Sequence, residues 1–253
     1  MKRFRVPVIC LAAAAAATMA NAQNKQPRPK TQAEAQAVQA MLQAQDPDAR
    51  IKAADDLVTK FGKTDFKSLA FYVEADAYQQ KNDNAKTIVF AEQALTADPM
   101  NFDAEVLLAN VLASSTRDTD LDKDEKLSRA AKYANTAIDN LKTAVKPNPQ
   151  MTDDQWTAYK GNDTAQAYQA LGTVALVNKK YDDAVANYQK GVEANPDPLL
   201  MIRAGRALLA AKKYDDAITW FDKAINAPGV PDQLKTIATS DKTRATTAKA
   251  QAK

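Results

Sequence analysis

Histidine is absent from the 253 residues. Its absence removes the commonest general base, every Ser-His or Cys-His nucleophile pair, and the commonest ligand of zinc, copper and non-haem iron. A Ser-Lys dyad is missing too, because none of Ser68, Ser114, Ser115, Ser128 and Ser240 has a lysine three residues on. Cysteine occurs once, as Cys10, so the remainder of the chain has no disulfide to stabilise it. Glycine is scarce, at six residues, and no segment alternates apolar and polar residues for long, which speaks against sheet. No apolar run reaches the roughly 20 residues needed to cross a bilayer. The chain is instead rich in Ala, Lys, Gln, Asp and Leu, a composition that favours helix. The fold class expected is all-α, without cofactor or metal.

Residues 1–22 read as a secretory signal peptide. Lys2, Arg3 and Arg5 precede an apolar stretch from Val6 to Met19, and Ala20-Asn21-Ala22 has the small-x-small form of a cleavage site. Cleavage after Ala22 would place the protein in the periplasm or outside the cell. Cys10 lies within the apolar stretch after Val8-Ile9, without the small residues that precede a lipidated cysteine. Three of the 34 basic residues fall in this segment, leaving 31 against 31 acids. A neutral mature chain without a basic face argues against nucleic acid as a partner. Residues 23–30, QNKQPRPK, form a polar, proline-containing leader.

The strongest pattern is internal. KKYDDAVANYQKGVEANP at 179–196 is echoed by KKYDDAITWFDKAINAPG at 212–229, 33 residues on. Aligning Ala184 with Ala217 also brings Gly172 onto Gly205, Leu176 onto Leu209, Tyr188 onto Phe221 and Gly191 onto Ala224. A fixed period of this size marks one supersecondary unit stacked on copies of itself. Each copy reads as a helix, a Lys-Lys turn and a second helix opened by Asp182-Asp183 or Asp215-Asp216, acids suited to the positive end of a helix dipole. Gly172 and Gly205 are expected to face Ala184 and Ala217, with Tyr188 and Phe221 filling the groove against the next unit.

This pattern resembles the tetratricopeptide repeat. Residues 165–197 carry its motif in Tyr168, Leu171, Gly172, Tyr181, Ala184, Tyr188, Gly191 and Pro196. Residues 198–231 continue it with Met201, Gly205, Leu208, Tyr214, Ala217, Phe221 and Ala224. Residues 68–101 fit more loosely, with Phe71, Ala75, Tyr78, Ala94, Leu95 and Pro99 in place but Thr87 and Ala91 where alanine and an aromatic are usual. A further copy starts at 102 with Leu108, Ala109 and Leu112 and resumes at Ala130, Ala134 and Ala137, so that 68–142 holds two units with an insertion near 114–124. Residues 31–67 are N-terminal helices and a candidate degenerate copy. The resemblance implies a right-handed α-solenoid of stacked antiparallel helix pairs.

Two segments depart from the motif. In the spacer 143–164, Thr152-x-x-Gln155 is a capping box expected to start a helix bearing Trp156 and Tyr159 and running into the next repeat through Gly161-Asn162-Asp163. Residues 232–253 read as a polar capping helix that frays into a tail, with one acid, Asp241, among five bases from Gln233 onward.

Other motifs have ordinary explanations. The acidic run from Asp118 to Glu125 lacks calcium-loop geometry, since the sixth and twelfth positions are Lys123 and Arg129. Asp122 is expected to cap the next helix instead, with Glu125 completing a box. Asp55-Asp56, Asp153-Asp154, Asp182-Asp183 and Asp215-Asp216 are expected in first helical turns, not as catalytic pairs. Asn162-Asp163-Thr164 spells a glycosylation sequon.

By resemblance, the first helices of successive units line a concave groove that holds a peptide. Transferred by position, its residues are Tyr72, Asp76, Gln79, Val106, Asn110, Gln169, Thr173, Ile202, Arg203 and Arg206. The arginine end would be positive and the Asp76 end negative, orienting a ligand with an acidic portion near the arginines. Val106 stands where carboxylate-holding relatives carry a lysine. The function expected is a non-catalytic scaffold of the bacterial cell envelope that binds another protein or peptide. The competing reading is an envelope hydrolase or accessory acting on peptidoglycan, which would need a catalytic domain for which no unassigned stretch is long enough. A structural element of a secretion machine is a third. Oligomeric state is not indicated.

Overall fold

The computed structural model describes residues 27–147 and 150–252. The signal peptide with Cys10, residues 23–26 of the 23–30 leader, Asn148-Pro149 of the spacer, and Lys253 lie outside the described residues. Among the described residues there are eleven α-helices and no strand. They are α1 (Gln32–Gln43), α2 (Pro47–Lys60), α3 (Lys67–Gln80), α4 (Asn84–Ala97), α5 (Phe102–Ser115), α6 (Lys123–Thr143), α7 (Asp153–Val177), α8 (Tyr181–Ala194), α9 (Pro198–Ala210), α10 (Tyr214–Ile225) and α11 (Asp232–Gln251).

Local chemistry sets where most helices begin. The side chains of Thr31, Asp46, Asp83, Asn101, Thr152 and Asp197 each accept a backbone N–H of the first turn, satisfying donors that have no intrahelical partner. Thr152 and Gln155 form the expected reciprocal box. Pro47 and Pro198 open α2 and α9, where a missing N–H costs nothing. Asp122 precedes α6 but makes no capping bond; its carboxylate pairs with Lys126 at 2.9 Å instead. Asp55-Asp56 lie well inside α2 and not in its first turn, because Asp46-Pro47 starts that helix early. There Asp56 is flanked by Lys52 and Lys60, one helical turn either side.

Three turns share one construction. Asn82, Lys179 and Lys212 have φ of 58°, 60° and 60°. The N–H groups of Asp83, Lys180 and Lys213 return to the carbonyls of Tyr78, Ala175 and Leu208. This is the left-handed closure with which helices commonly end, here without the usual glycine. The repeated Lys-Lys is thus the turn between paired helices, and its second lysine immediately precedes the second helix of the pair.

Consecutive helices pack as hairpins, and each hairpin packs on the next. Within α7–α8, a Cβ on Gly172 would collide with the ring of Tyr188; within α9–α10, one on Gly205 would come within 2.6 Å of Phe221. The glycines therefore accommodate the aromatic of their own hairpin, one turn beyond the alanine expected to face them. Each ring is fully buried and also touches the next helix pair or cap: Tyr188 shares a core cluster with Leu200, Ala204 and Ala207 of α9, and Phe221 with Ala238 and Ala245 of α11. The result is a chain of small cores joined end to end, the arrangement of an α-solenoid.

The two departures from the motif resolve differently. α7 runs unbroken for 25 residues through Gly161, whose missing side chain leaves room for the carbonyl of Ala194 at the end of α8. α11 is no fraying tail: it continues to Gln251, buries Ala238 and Ala245, and sinks Asp241 to 3 % exposure. Asp241 is gripped by Arg206 at 2.6 Å and Arg244 at 3.0 Å, which offsets the desolvation cost of its burial.

Candidate functional site: the first-helix layer

Helices α3, α5, α7 and α9 form a layer, with α3 against α5 and α5 against α7. The ten positions transferred from the repeat do not share one fate. Val106 is 4 % exposed and Ile202 is fully buried. Both are core residues, because their side chains turn into the seams between hairpins, where the apolar clusters lie. They are withdrawn from the ligand-facing set.

The remaining eight keep some exposure. Asp76 is engaged by Arg50 at 2.7 Å and accepts from Gln80, so it is no free negative charge. Gln79 is half-buried nearby. Asn110 and Gln169 join α5 to α7: the Gln169 amide donates to Asn110 Oδ1 at 3.0 Å, and Asn110 Nδ2 donates to the carbonyls of Val106 and Gln166. Thr173 donates to its own helix and lies 3.4 Å from the Tyr188 hydroxyl.

Arg203 and Arg206 differ more than the sequence suggests. Arg206 spends its charge on Asp241. Arg203 has a buried Nε with no acceptor, sits beside the Tyr188 hydroxyl, and pairs with no carboxylate among the described residues. The other inward-lying arginines, Arg50 and Arg129, each hold an acid, Asp76 and Glu92 respectively. The Arg203 guanidinium bonds the Tyr188 hydroxyl, but with Nε buried without an acceptor and no acid beside it, it is only partly satisfied by the chain itself.

At the other end of the layer lies a cluster absent from the transferred set. Tyr159 of α7 donates to Asp103 Oδ1 of α5 at 2.6 Å, and Asp103 is hydrogen-bonded in turn to Asp163 of α7. Asp163 is 7 % exposed and receives only a long bond from Asn162, at 3.4 Å. Burial, then the neighbouring Asp103 charge, push the Asp163 carboxyl up to about 8, and burial raises Asp103 as well. Tyr72 of α3 is desolvated against the same acids, which raises its phenol. A signal was available: moving toward the N-terminus of α7 from Thr173 at helical spacing passes Gln169 and Gln166 and reaches Asp163 and Tyr159. Two further carboxyls, Glu74 and Glu105, are raised to about 7, chiefly by burial; Asn140 donates to both oxygens of Glu105.

Elsewhere, a shallow hollow of about 520 Å³ lies between the turns at 179–183 and 210–213 and is lined by Lys179, Lys180, Lys212 and Lys213. Two of these lysines are already paired, Lys213 with Asp182 and Lys179 with Asp118. No group of three or more metal-ligating side chains occurs among the described residues, and Asp118, Asp120 and Asp122 of the acidic turn are held by Lys123, Lys126 and Lys179. No helix among the described residues is long and apolar enough to cross a membrane.

Stacked helical hairpins define the class of the protein. Residues 170–231, covering part of α7 and all of α8 through α10, match the tetratricopeptide repeat family model. Among solved structures, a thermophilic TPR protein from Thermus thermophilus is similar at 16% identity and a TM-score of 0.49, over 77% of this chain and 90% of that one. The assembly chaperone of RpL4 (Acl4) is similar at 11% identity and a TM-score of 0.43, over 89% and 99%. No curated protein sequence matches the chain.

Proposed function

We propose that the protein is a non-catalytic scaffold of the bacterial cell envelope that holds a peptide or partner protein along its first-helix layer. Tetratricopeptide repeats generally mediate contacts between proteins, and residues 170–231 match that family. The envelope assignment rests on the signal-like residues 1–22. The observation that carries the binding mode is Arg203, whose guanidinium lies partly buried in this layer without an acid. A partner's carboxylate, from a side chain or a chain end, would complete it through a charge-assisted bond. Gln169 and Thr173 flank the path. Arg206 contributes field but not a contact, because Asp241 holds it.

The carboxylate pair does not favour the hydrolase reading. Glycosidic catalysis needs two carboxyls roughly 5 Å or more apart around a scissile bond, whereas Asp103 and Asp163 are bonded to each other beneath Tyr159.

The test is capture from envelope extract by the mature protein, by Arg203→Glu, and by Lys132→Glu, which changes an exposed residue of α6. Loss of the same partner band with Arg203→Glu, and its retention with Lys132→Glu at equal helicity, supports the assignment. Equal recovery by all three contradicts it. Arg206→Glu is avoided because it would set an acid against buried Asp241.

A further inference from the structure

We propose that Asp103 and Asp163 form a proton-operated clasp: a proton shared between them fastens the N-terminal overhang of α7 to α5, and losing it releases the overhang.

The geometry begins with a mismatch in length. α7 has 25 residues and its hairpin partner α8 has 14. Gly161 lies against the carbonyl of Ala194, the last residue of α8, so residues 153–160 project beyond it. This overhang rests on the start of α5: Trp156 stacks on Tyr159 with centroids 5.7 Å apart, and both contact Phe102, at 6.4 and 6.3 Å. Where α7 crosses α5, the polar fastening is Tyr159 on Asp103 and Asp103 on Asp163.

The charged and titratable surroundings are few. α3 contributes Tyr72 and Asp76; α2 contributes Arg50, which Asp76 already engages; α7 contributes Tyr159 and the amide of Asn162. No cation acts on either carboxyl among the described residues. Two carboxylates in contact without a cation, Asp163 buried and Asp103 half-buried, cannot both be ionised at low cost, whereas one proton between them turns repulsion into a hydrogen bond. Asp163 Oδ2 is buried and receives no donor, leaving an oxygen free to carry that proton. Burial and mutual charge place its loss near neutrality and not in the ordinary carboxyl range. Once both are charged, the pair repels, and the overhang keeps only its aromatic contacts and the Tyr159 bond to Asp103. The clasp stands independently of any partner at Arg203.

Trp156 reports directly on the overhang, and the chain has only two tryptophans. In a Trp220→Phe background, Trp156 emission followed from about pH 5 to about pH 9.5 should shift in a single step near the Asp163 transition. In Trp220→Phe/Asp163→Asn, whose amide donates as the protonated acid would, the step should vanish and the emission should stay at its low-pH value. If that variant does not fold, Asp103→Asn takes its place with the same expectation. A flat trace in the Trp220→Phe protein overturns the clasp. So does a step that survives Asp163→Asn, which would belong to Glu105 or Glu74 instead.

Discussion

The two ends of the first-helix layer are held by different physics. From Gly172 of α7 to the end of α11 the chain relies on shape: Gly172 receives Tyr188, Gly205 receives Phe221, and the buried charge of Asp241 is gripped by two arginines. From α1 to the start of α7 the core is more polar, with Glu34, Glu74, Glu105 and Asp163 all buried. Ala75 and Ala91 stand there in place of the glycine and the aromatic, and both are fully buried in one cluster. Two alanines occupy less volume than a glycine–aromatic pair, and Leu107, Leu108 and Tyr133 share the cluster with them. The difference teaches that one end is held by shape and paired charge, while at the other burial lets Glu74, Glu105 and Asp163 keep protons at pH values where the unfolded chain would have lost them.

Removing an aromatic from the shape-held end should have the largest effect. Phe221→Ala is expected to cost about 3–5 kcal/mol, visible as a lowered urea midpoint, whereas Ala91→Gly in the corresponding seam of α4 should cost far less. Gly172→Ala should come next, at roughly 1–3 kcal/mol, because its new methyl meets a ring that has nowhere to go. In a Tyr188→Ala background that penalty should largely disappear. Additive costs would show that the two residues are not in contact.

The acid-bearing end should answer to pH. Burial raises the carboxyls of Glu74 and Glu105 from 4.5 to about 7, so the folded chain binds more protons than the unfolded chain between those values. Their contribution to stability is then fullest below the ordinary carboxyl range of these groups and declines as pH climbs to about 7. After allowance for solvent screening, the decline is of order 1 kcal/mol per carboxyl. Glu105→Gln should flatten the profile of melting temperature against pH; an unchanged slope would remove Glu105 from the explanation. The smallest effect belongs to the turns. Lys179→Gly relieves a left-handed lysine and should stabilise by up to about 1 kcal/mol, and the same change at Lys212 should match it.

How much of this could be read from sequence depended on the range of the interaction. The helix start at Thr152, the Lys-Lys turns and the 33-residue register were legible because each is fixed within a few residues or by the repeat itself. Gly161 was ambiguous in sequence, since a glycine in a helix either weakens it or makes room for a neighbour, and only the carbonyl of Ala194 decides. Val106 and Ile202 were placed on the ligand face by repeat position, but a modest helix rotation separates that face from the seam. Asp103, Tyr159 and Asp163 went unseen as a group because Asp103 and Tyr159 lie 56 residues apart and meet only through the unusual length of α7. In the sequence Asp241 is only the one acid from Gln233 onward in a polar capping helix, and its burial went unread because its partner Arg206 belongs to another helix.

The most direct test of the contrast between the two ends is hydrogen exchange resolved by segment. Exchange would be measured from about pH 6 to about pH 9 and corrected for the intrinsic rise in rate with pH. Residues 153–163 are expected to lose protection across that range, while 198–225 keep theirs. Parallel behaviour of the two segments would contradict the account.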